Sequence, residues 1–200
     1  SARMLRGEEA RLALIDAAMQ EASRIGLAAV TLAPVAKRAG WSKGGLLRHF
    51  PTKESLQLAV VHRVSERFRT RVLLPALSSP SGGPRLRAIF GNWIRFAAQS
   101  DLEGGCPLNS ARLEFDDQPG EVRDAVAAAW HDWLTYLEKQ AAKAIEQREI
   151  KTELSPKQVV MLIMGLIMAY DNAVRLLGDR HAAREAERTF ELLFPAKSSH

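Results

Sequence analysis

Apolar residues recur at spacings of three and four along most of the chain, and no stretch keeps the strict alternation of a half-buried strand. Leu12, Ile15, Met19 and Ala22 share one face of a helix over 8–25, which Gly26 ends. A short helix with Leu32, Val35 and Ala36 inward follows Thr31, and another runs from Ser42 to Phe50. Thr52 precedes a long helix over 53–75. The loop SSPSGGP (78–84) then leads into a helix over 85–99 carrying Leu86, Ile89, Phe90, Trp93, Phe96 and Ala97 on its apolar side. A break at 101–105 precedes a short helix from Cys106 to Phe115. A long helix over 121–149 carries Val122, Val126, Trp130, Trp133, Leu137 and Ala141. Ser155-Pro156, an N-cap followed by proline at the first helical position, opens a helix to 177, and a last helix covers 182–194. The pattern predicts an all-α chain of about nine helices whose short loops make neighbours antiparallel.

The stretch TLAPVAKRAGWSKGGLLRHF (31–50) stands apart. Thr31 is placed as an N-cap, with Pro34 in the first turn where a missing N–H costs little. Its hydroxyl would have to accept from Ala33, because Pro34 has no N–H to give. Gly40 falls at the position just past the helix, where left-handed angles stop it cheaply, and Ser42 caps the next helix. This is the layout of a helix-turn-helix, whose second helix enters the major groove. The spacing A-G-x-S-x-G-x-L-x-x-H-F (Ala39, Gly40, Ser42, Gly44, Leu46, His49, Phe50), followed by Lys53-Glu54-x-Leu56, resembles the TetR family of bacterial transcriptional regulators. Arg11, Ile15, Ala17, Ala18, Gly26 and Thr31 sit where that family has its first helix and turn. The resemblance is strongest over about the first sixty residues. Trp41, Gly45 and Leu47 depart from the family's usual residues, and all three face the groove.

On this reading Lys43 and Arg48 are the base-edge readers, through guanine O6 and N7. Leu47 offers apolar contact, and His49 contacts phosphate or pins the helix. Thr31, Arg38 and Lys53 are phosphate candidates, with Ser42, Gly44 and Gly45 at the helix start. Arg3, Arg6 and Arg11 on the first helix are further phosphate candidates. Trp41 either packs on the sugar–phosphate backbone or fills the head's own core. Adjacent Gly44 and Gly45 would each cost about 1 kcal/mol of helix propensity relative to alanine. Either the backbone must approach DNA closely or the first turn is bent.

Charge sharpens the picture. The net charge is +5, and residues 1–70 hold 12 Lys/Arg against 6 Asp/Glu, whereas 71–200 hold 16 against 17. The basic excess lies wholly in the helix-turn-helix half, the footprint of a polyanion-binding head on a neutral body. A composition of 46% apolar and 26% charged residues is that of a globular chain. The single cysteine, Cys106, excludes an internal disulfide and a cysteine-rich zinc site. The five histidines, at 49, 62, 131, 181 and 200, form no metal-binding spacing, and neither a phosphate loop nor a nucleophile elbow is present. Neither catalysis nor a cofactor is expected. The most apolar stretch, VVMLIMGLIMA (159–169), has eleven residues, so a buried helix is expected rather than a membrane span, and with no basic-then-apolar leader the expected location is the cytoplasm.

The resemblance implies a division into a DNA-binding head (1–52) and a helical ligand-binding and dimerisation body (53–200). One head contacts too little DNA for a specific site, so a homodimer on a palindromic operator is expected. The last two helices carry the expected seam: Met161, Gly165, Met168, Phe190, Leu193 and Phe194. TetR-like chains also hold a small-molecule cavity in the body. Here its candidate lining is Trp93, Phe96, Asn109, Arg112, Phe115, Trp130, His131, Trp133, Met164, Met168 and Asp171, with Glu114 and Asn172 as further polar groups. Cys106, in a Gly-Cys-x-Leu-like element, is either a reactive thiol at a helix start or a small residue fixing that start. The expected function is a regulator, most often a repressor in this family, released by an effector. A DNA-architectural protein without sequence preference and a thiol-based sensor are the alternatives.

Overall fold

The computed structural model describes residues 2–150 and 153–194, with side chains from residue 7 onward. The helices are α1 (Ala2–Ile25), α2 (Leu32–Arg38), α3 (Lys43–His49), α4 (Lys53–Phe68), a π-helical segment (Arg69–Leu73), α5 (Leu74–Ala76), α6 (Gly83–Ala98), α7 (Pro107–Glu114), α8 (Glu121–Glu146), α9 (Pro156–Arg175) and α10 (Ala182–Glu191). Because α4, the π segment and α5 follow without a break, nine helical rods result, with no strand among the described residues. The π turn inside the rod over 53–76 carries no sequence signal. α1 begins six residues earlier than expected, and the side chains of Arg3 and Arg6 lie outside the described residues.

The chain packs as two compact units. Residues 1–67 with 100–130 form one, and 68–99 with 131–200 form the other. These packing units differ in their bounds from the division by role expected at 52/53. The core of the first unit gathers Leu14, Ala18 and Met19 of α1, Val35 and Ala36 of α2, Leu46 of α3, Phe50, and Leu56 and Val60 of α4. Ala111, Phe115, Val122 and Val126 complete it. In the second unit the Phe90 and Phe190 rings stack at 4.1 Å, and the Arg87 guanidinium lies 3.6 Å over the Phe194 ring.

Helix ends are set by specific groups. Gly26 stops α1 at φ +86°, and a side chain there would also meet the Glu114 carboxylate at 2.5 Å. That carboxylate accepts from the Ala28 N–H at 2.7 Å, closing the α1–α2 turn. Glu114 is therefore a structural clasp of the first unit and not a cavity group. The start of α6 has no cap of its own. Glu149, just beyond α8, supplies one by accepting from the Gly83 N–H at 2.7 Å, and Gln140 accepts from the Gly82 N–H at 3.1 Å. A carboxylate there meets the positive end of the helix. Ser155 and Gln158 form the reciprocal capping box at the start of α9.

α8 ends with Arg148 at φ 58°, where its N–H bonds the Ile145 carbonyl and the Glu149 N–H bonds Ala144. This is the Schellman arrangement with a non-glycine residue in the left-handed position. The strain there is about 1–2 kcal/mol, part of which glycine's greater unfolded-state freedom takes back. Arg148→Gly should raise stability by about 0.5–1 kcal/mol, read as a higher denaturant midpoint at unchanged m-value. An unchanged or lower midpoint would show that the left-handed turn carries no strain.

α9 is the one helix among the described residues long and apolar enough, by length and composition, to cross a membrane. In the fold it buries Val159, Val160, Ile163, Met164, Ile167 and Tyr170. On its other face Met161 is 68% exposed, Leu162 is exposed, and Gly165 is open, with nothing within 4 Å of where a side chain would begin.

Candidate nucleic-acid interface

The α2–α3 turn is built by its own backbone. Gly40 adopts φ +73°, its N–H bonds the Lys37 carbonyl at 3.2 Å, and the Trp41 N–H bonds Ala36 at 2.8 Å. Ser42 then caps α3 by accepting from the Gly45 N–H at 3.1 Å. The expected cap at Thr31 does not form. The residue is extended, at φ −129°, and its hydroxyl makes no cap bond, because Pro34 removes one of the two N–H groups such a cap uses. Thr52 and Ser55 cap α4 reciprocally, with Ser55 N–H to Thr52 Oγ1 at 3.0 Å and Thr52 N–H to Ser55 Oγ at 3.2 Å.

α3 buries Leu46 into the core and leaves Ser42, Lys43, Gly44 and Arg48 exposed, with Leu47 and His49 half-buried. Among the described residues no carboxylate pairs with Lys43 or Arg48, so both cations stay available to an outside anion. Trp41 is 37% exposed, and its ring meets His49 edge-on at 5.8 Å. The ring lies across Gly45, where an added Cβ would sit 2.9 Å from Trp41 Cε3. Trp41 and Gly45 are thus a matched pair, one large residue needing one absent side chain, and the ring belongs to the exposed face rather than the core. At Gly44, by contrast, nothing lies within 4 Å of the missing Cβ.

Two of the expected phosphate contacts are already engaged within the chain. Arg38 Nη1 donates to Glu103 Oε1 at 2.7 Å, and its Nη2 lies 3.2 Å from Glu21 Oε2. Lys53 donates to the Ala28 carbonyl, which gives that cation a partner at the start of α4. Arg11 lies over the Phe50 ring at 5.0 Å while remaining exposed.

Glu103 belongs to a loop over 101–105 that is fastened to the head at several points. The Gly104 N–H donates to Ser23 Oγ at 3.0 Å, the Gly105 N–H to the Ser23 carbonyl at 2.9 Å, and the Glu103 N–H to Gln20 Oε1 at 3.0 Å. Arg67 pairs with Asp101. The Arg38 guanidinium holds the Glu103 carboxyl below its ordinary value, chiefly through their hydrogen bond, and Arg38 is raised in turn. A depressed carboxylate contributes stability above its unfolded pKa and loses it as pH falls through the folded value. Acidifying through and below about pH 4.3, an ordinary carboxylate value, should therefore lower the protection of the Glu103 and Gly105 amides, read as hydrogen exchange relative to the intrinsic rate at each pH. Glu103→Gln should lower that protection already at neutral pH and flatten its pH dependence. Equal exchange in both proteins at every pH would remove Arg38–Glu103 as a clamp.

The cavity residues expected from sequence fall in both packing units. Asn109, Arg112, Phe115 and Trp130 belong to the first, where Phe115 is buried in the core, Arg112 Nε donates to Asn109 Oδ1 at 3.1 Å and Trp130 Nε1 to the Leu108 carbonyl at 3.3 Å. Trp93, Phe96, His131, Trp133, Met164, Met168 and Asp171 belong to the second, with His131 exposed and Met164 buried. Phe68, Trp93, Phe96, Trp133 and Tyr136 form a ring cluster there. An adjoining cleft is lined by Arg71, Asn92, Arg95, Phe96 and Gln99. Of the expected residues only Phe96 lines it; the four polar ones carry no spacing that marks them as a set. Phe190 and Phe194, placed at a subunit seam, are instead buried within the second unit. Ala182, Ala186 and Phe190 form the inward face of α10, which turns Leu192 outward at 69% exposure.

A capped basic helix whose cations meet no carboxylate among the described residues, following a glycine-stopped turn on a helical core, defines a helix-turn-helix DNA-binding protein. Residues 14–60 match the family described as "Bacterial regulatory proteins, tetR family", and residues 82–190 match "Tetracyclin repressor-like, C-terminal domain". The chain belongs to the TetR family of transcriptional regulators. Over 83 residues it is 36% identical to the HTH-type transcriptional regulator BetI of Klebsiella pneumoniae (strain 342), covering 40% of this chain and 43% of that protein. BetI of Escherichia coli (strain K12 / DH10B) matches over the same share. The match thus spans less than half the length of these curated relatives. A TetR transcriptional regulator from Chloroflexus aurantiacus J-10-fl has the same fold, with TM-score 0.81, 24% identity and 94% of each chain covered. So does AibR, solved in complex with isovaleryl coenzyme A and operator DNA, with TM-score 0.78, 20% identity, and 93% of this chain and 98% of that one covered.

Proposed function

We propose that this regulator is a cytoplasmic repressor that binds a palindromic operator as a homodimer and is released by a small-molecule effector. The observation that carries the reading is α3 itself, where Lys43 and Arg48 meet no carboxylate among the described residues and stand beside Gly44, a position the fold does not require to be glycine. Residues 1–52 act as the DNA head and 53–200 as the effector and dimerisation body. Met161, Leu162 and Gly165 on α9, with Leu192 after α10, form an apolar face suited to a second copy, and the bare Gly165 lets a partner helix approach closely. This face accounts for the apolar length of α9 without a membrane. AibR, of like fold, has been solved with both an acyl-coenzyme A and operator DNA. An effector in the body acts through the rod over 53–76, and it shifts DNA affinity only by its unequal affinity for the two arrangements of the dimer.

Selection of bound sites from random DNA tests the reading. A short palindrome is expected, with half-sites about 34–36 Å apart or a multiple of that spacing. Arg48→Ala should relax sequence preference at one position, while Lys43→Ala weakens a neighbouring one. Steep salt dependence with no preferred site would instead identify a DNA-architectural protein. Gly165→Leu should turn the dimer into a monomer in sedimentation, and a wild-type monomer at micromolar concentration would remove the dimer.

A further inference from the structure

We infer that the cleft beside the π segment is an oxyanion site, and that the effector is a small amphipathic molecule with a carboxylate or phosphate head. This names the effector class of the regulator proposed above and rests on that reading for its biological role.

The cleft has a volume of about 180 Å³, lined by Arg71, Asn92, Arg95, Phe96 and Gln99. Two guanidiniums on separate elements face one small space together with two side-chain amides. That donor set matches an oxyanion, which takes paired N–H groups in the plane of a guanidinium. The volume is below the range typical of drug-sized ligands and suits a head group. Arg71 sits inside the π segment (Arg69–Leu73), a winding that is rare and recurs at functional sites. The same segment is tied to α6 by Asn92 Nδ2, which donates to the Val72 carbonyl at 2.9 Å. The Asn92 side-chain oxygen accepts from Arg95, so the amide orients that guanidinium at the cleft edge.

A second, independent observation lies behind the cleft. Phe96, its apolar wall, meets Phe68 at 5.9 Å. Phe68 in turn meets Trp93 at 5.0 Å and Trp133 at 4.9 Å. Within this ring cluster Trp133 Nε1 is buried with no hydrogen-bond partner among the described residues. A buried donor left unpaired costs free energy, and native folds rarely keep one without a use. A ligand whose anionic head rests on Arg71 and Arg95, and whose body passes Phe96 into the rings, brings an acceptor to that N–H. The charged pair selects the head, the rings select an aromatic or short acyl body, and the orphan N–H selects an acceptor on that body.

The test uses the full-length protein without DNA, titrated calorimetrically with four probes: phenylacetate, phenyl phosphate, benzyl alcohol and inorganic phosphate. Phenylacetate or phenyl phosphate should bind, whichever binds more tightly identifying the head, and benzyl alcohol should bind at least about tenfold more weakly. Arg95→Gln, at an exposed position, should weaken the anionic probes roughly tenfold and leave benzyl alcohol unchanged. A fifth probe, 4-acetylphenylacetate, carries a carbonyl acceptor on its ring; Trp133→Phe should weaken it and leave phenylacetate and inorganic phosphate unchanged. Should Arg95→Gln misfold by circular dichroism, Arg95→Lys serves, keeping the charge while removing the fork; it should bind between wild type and no binding. Equal binding of benzyl alcohol and phenylacetate, or no binding of either anionic aromatic probe, overturns the site. Operator binding is measured separately, so loss of the DNA-binding reading and loss of the anion site are distinct results.

Discussion

Gly104→Ala should lose about 3 kcal/mol of stability or more, among the largest costs of any single methyl addition in this chain. The added carbon would sit 1.8 Å from the Ser23 carbonyl oxygen and 2.3 Å from its carbon. Those are backbone atoms of α1, so relief means breaking a helix turn or lifting the whole loop. Lifting the loop forfeits the Gly104 and Gly105 bonds to Ser23, the Glu103 bond to Gln20 and the ion pair from Arg38. For a chain of this size the loss amounts to roughly 6–12 °C in melting temperature. Calorimetry on Gly104→Ala and Ser23→Ala reads it. The serine variant should cost only about 1–2 kcal/mol, because its hydroxyl accepts from the Gly104 N–H and donates to the Gln20 carbonyl. If both cost the same, the close approach is not what holds the loop.

At the neighbouring glycines of α3 the expected effects run in opposite directions. Gly44→Ala meets nothing within 4 Å, so helix propensity should raise stability by about 1 kcal/mol. The same methyl group faces outward beside Lys43 and Arg48, and operator affinity should fall roughly tenfold or more as the backbone is held off the groove. A protein that gains stability and loses only DNA binding separates function from fold cleanly; undiminished DNA affinity would end the close-approach argument. Gly45→Ala strikes the Trp41 ring and should displace it from His49, read as a shift in tryptophan fluorescence. Trp41→Val in the same chain should remove that penalty, with a coupling of about 1 kcal/mol in the double-mutant cycle. Additive effects would mean the two positions are not a matched pair.

Local shape is legible in the sequence where a single residue decides it. Gly40 announced the turn, Ser42 the cap of α3 and Ser155-Pro156 the start of α9, because each acts on backbone within four residues. Contacts made with distant partners are not legible there. Arg38 reads as a phosphate candidate, with nothing nearby to announce the loop 65 residues later that brings Glu103 to it. Glu114 reads as a cavity group until it is seen closing a turn 86 residues earlier. Periodicity shows that α10 has an apolar face but not what that face meets: the pattern fits a partner subunit equally well, whereas Phe90 and Arg87 of the same chain cover Phe190 and Phe194. The left-handed residue ending α8 carries no glycine to reveal it, and the π turn has no composition of its own. The Trp41–Gly45 pair was visible as two separate departures from the family pattern; only the ring's position shows that they are one.

The first packing unit draws Ala111, Phe115, Val122 and Val126 from a stretch that returns after thirty-two residues of the other unit. A chimera that grafts residues 1–60 onto a different regulator's body would therefore carry a head with an unfinished interior. Swapping operator preference between relatives calls for exchanging two segments at once, the second being 100–130. Recombination within this lineage should accordingly leave those two stretches inherited together.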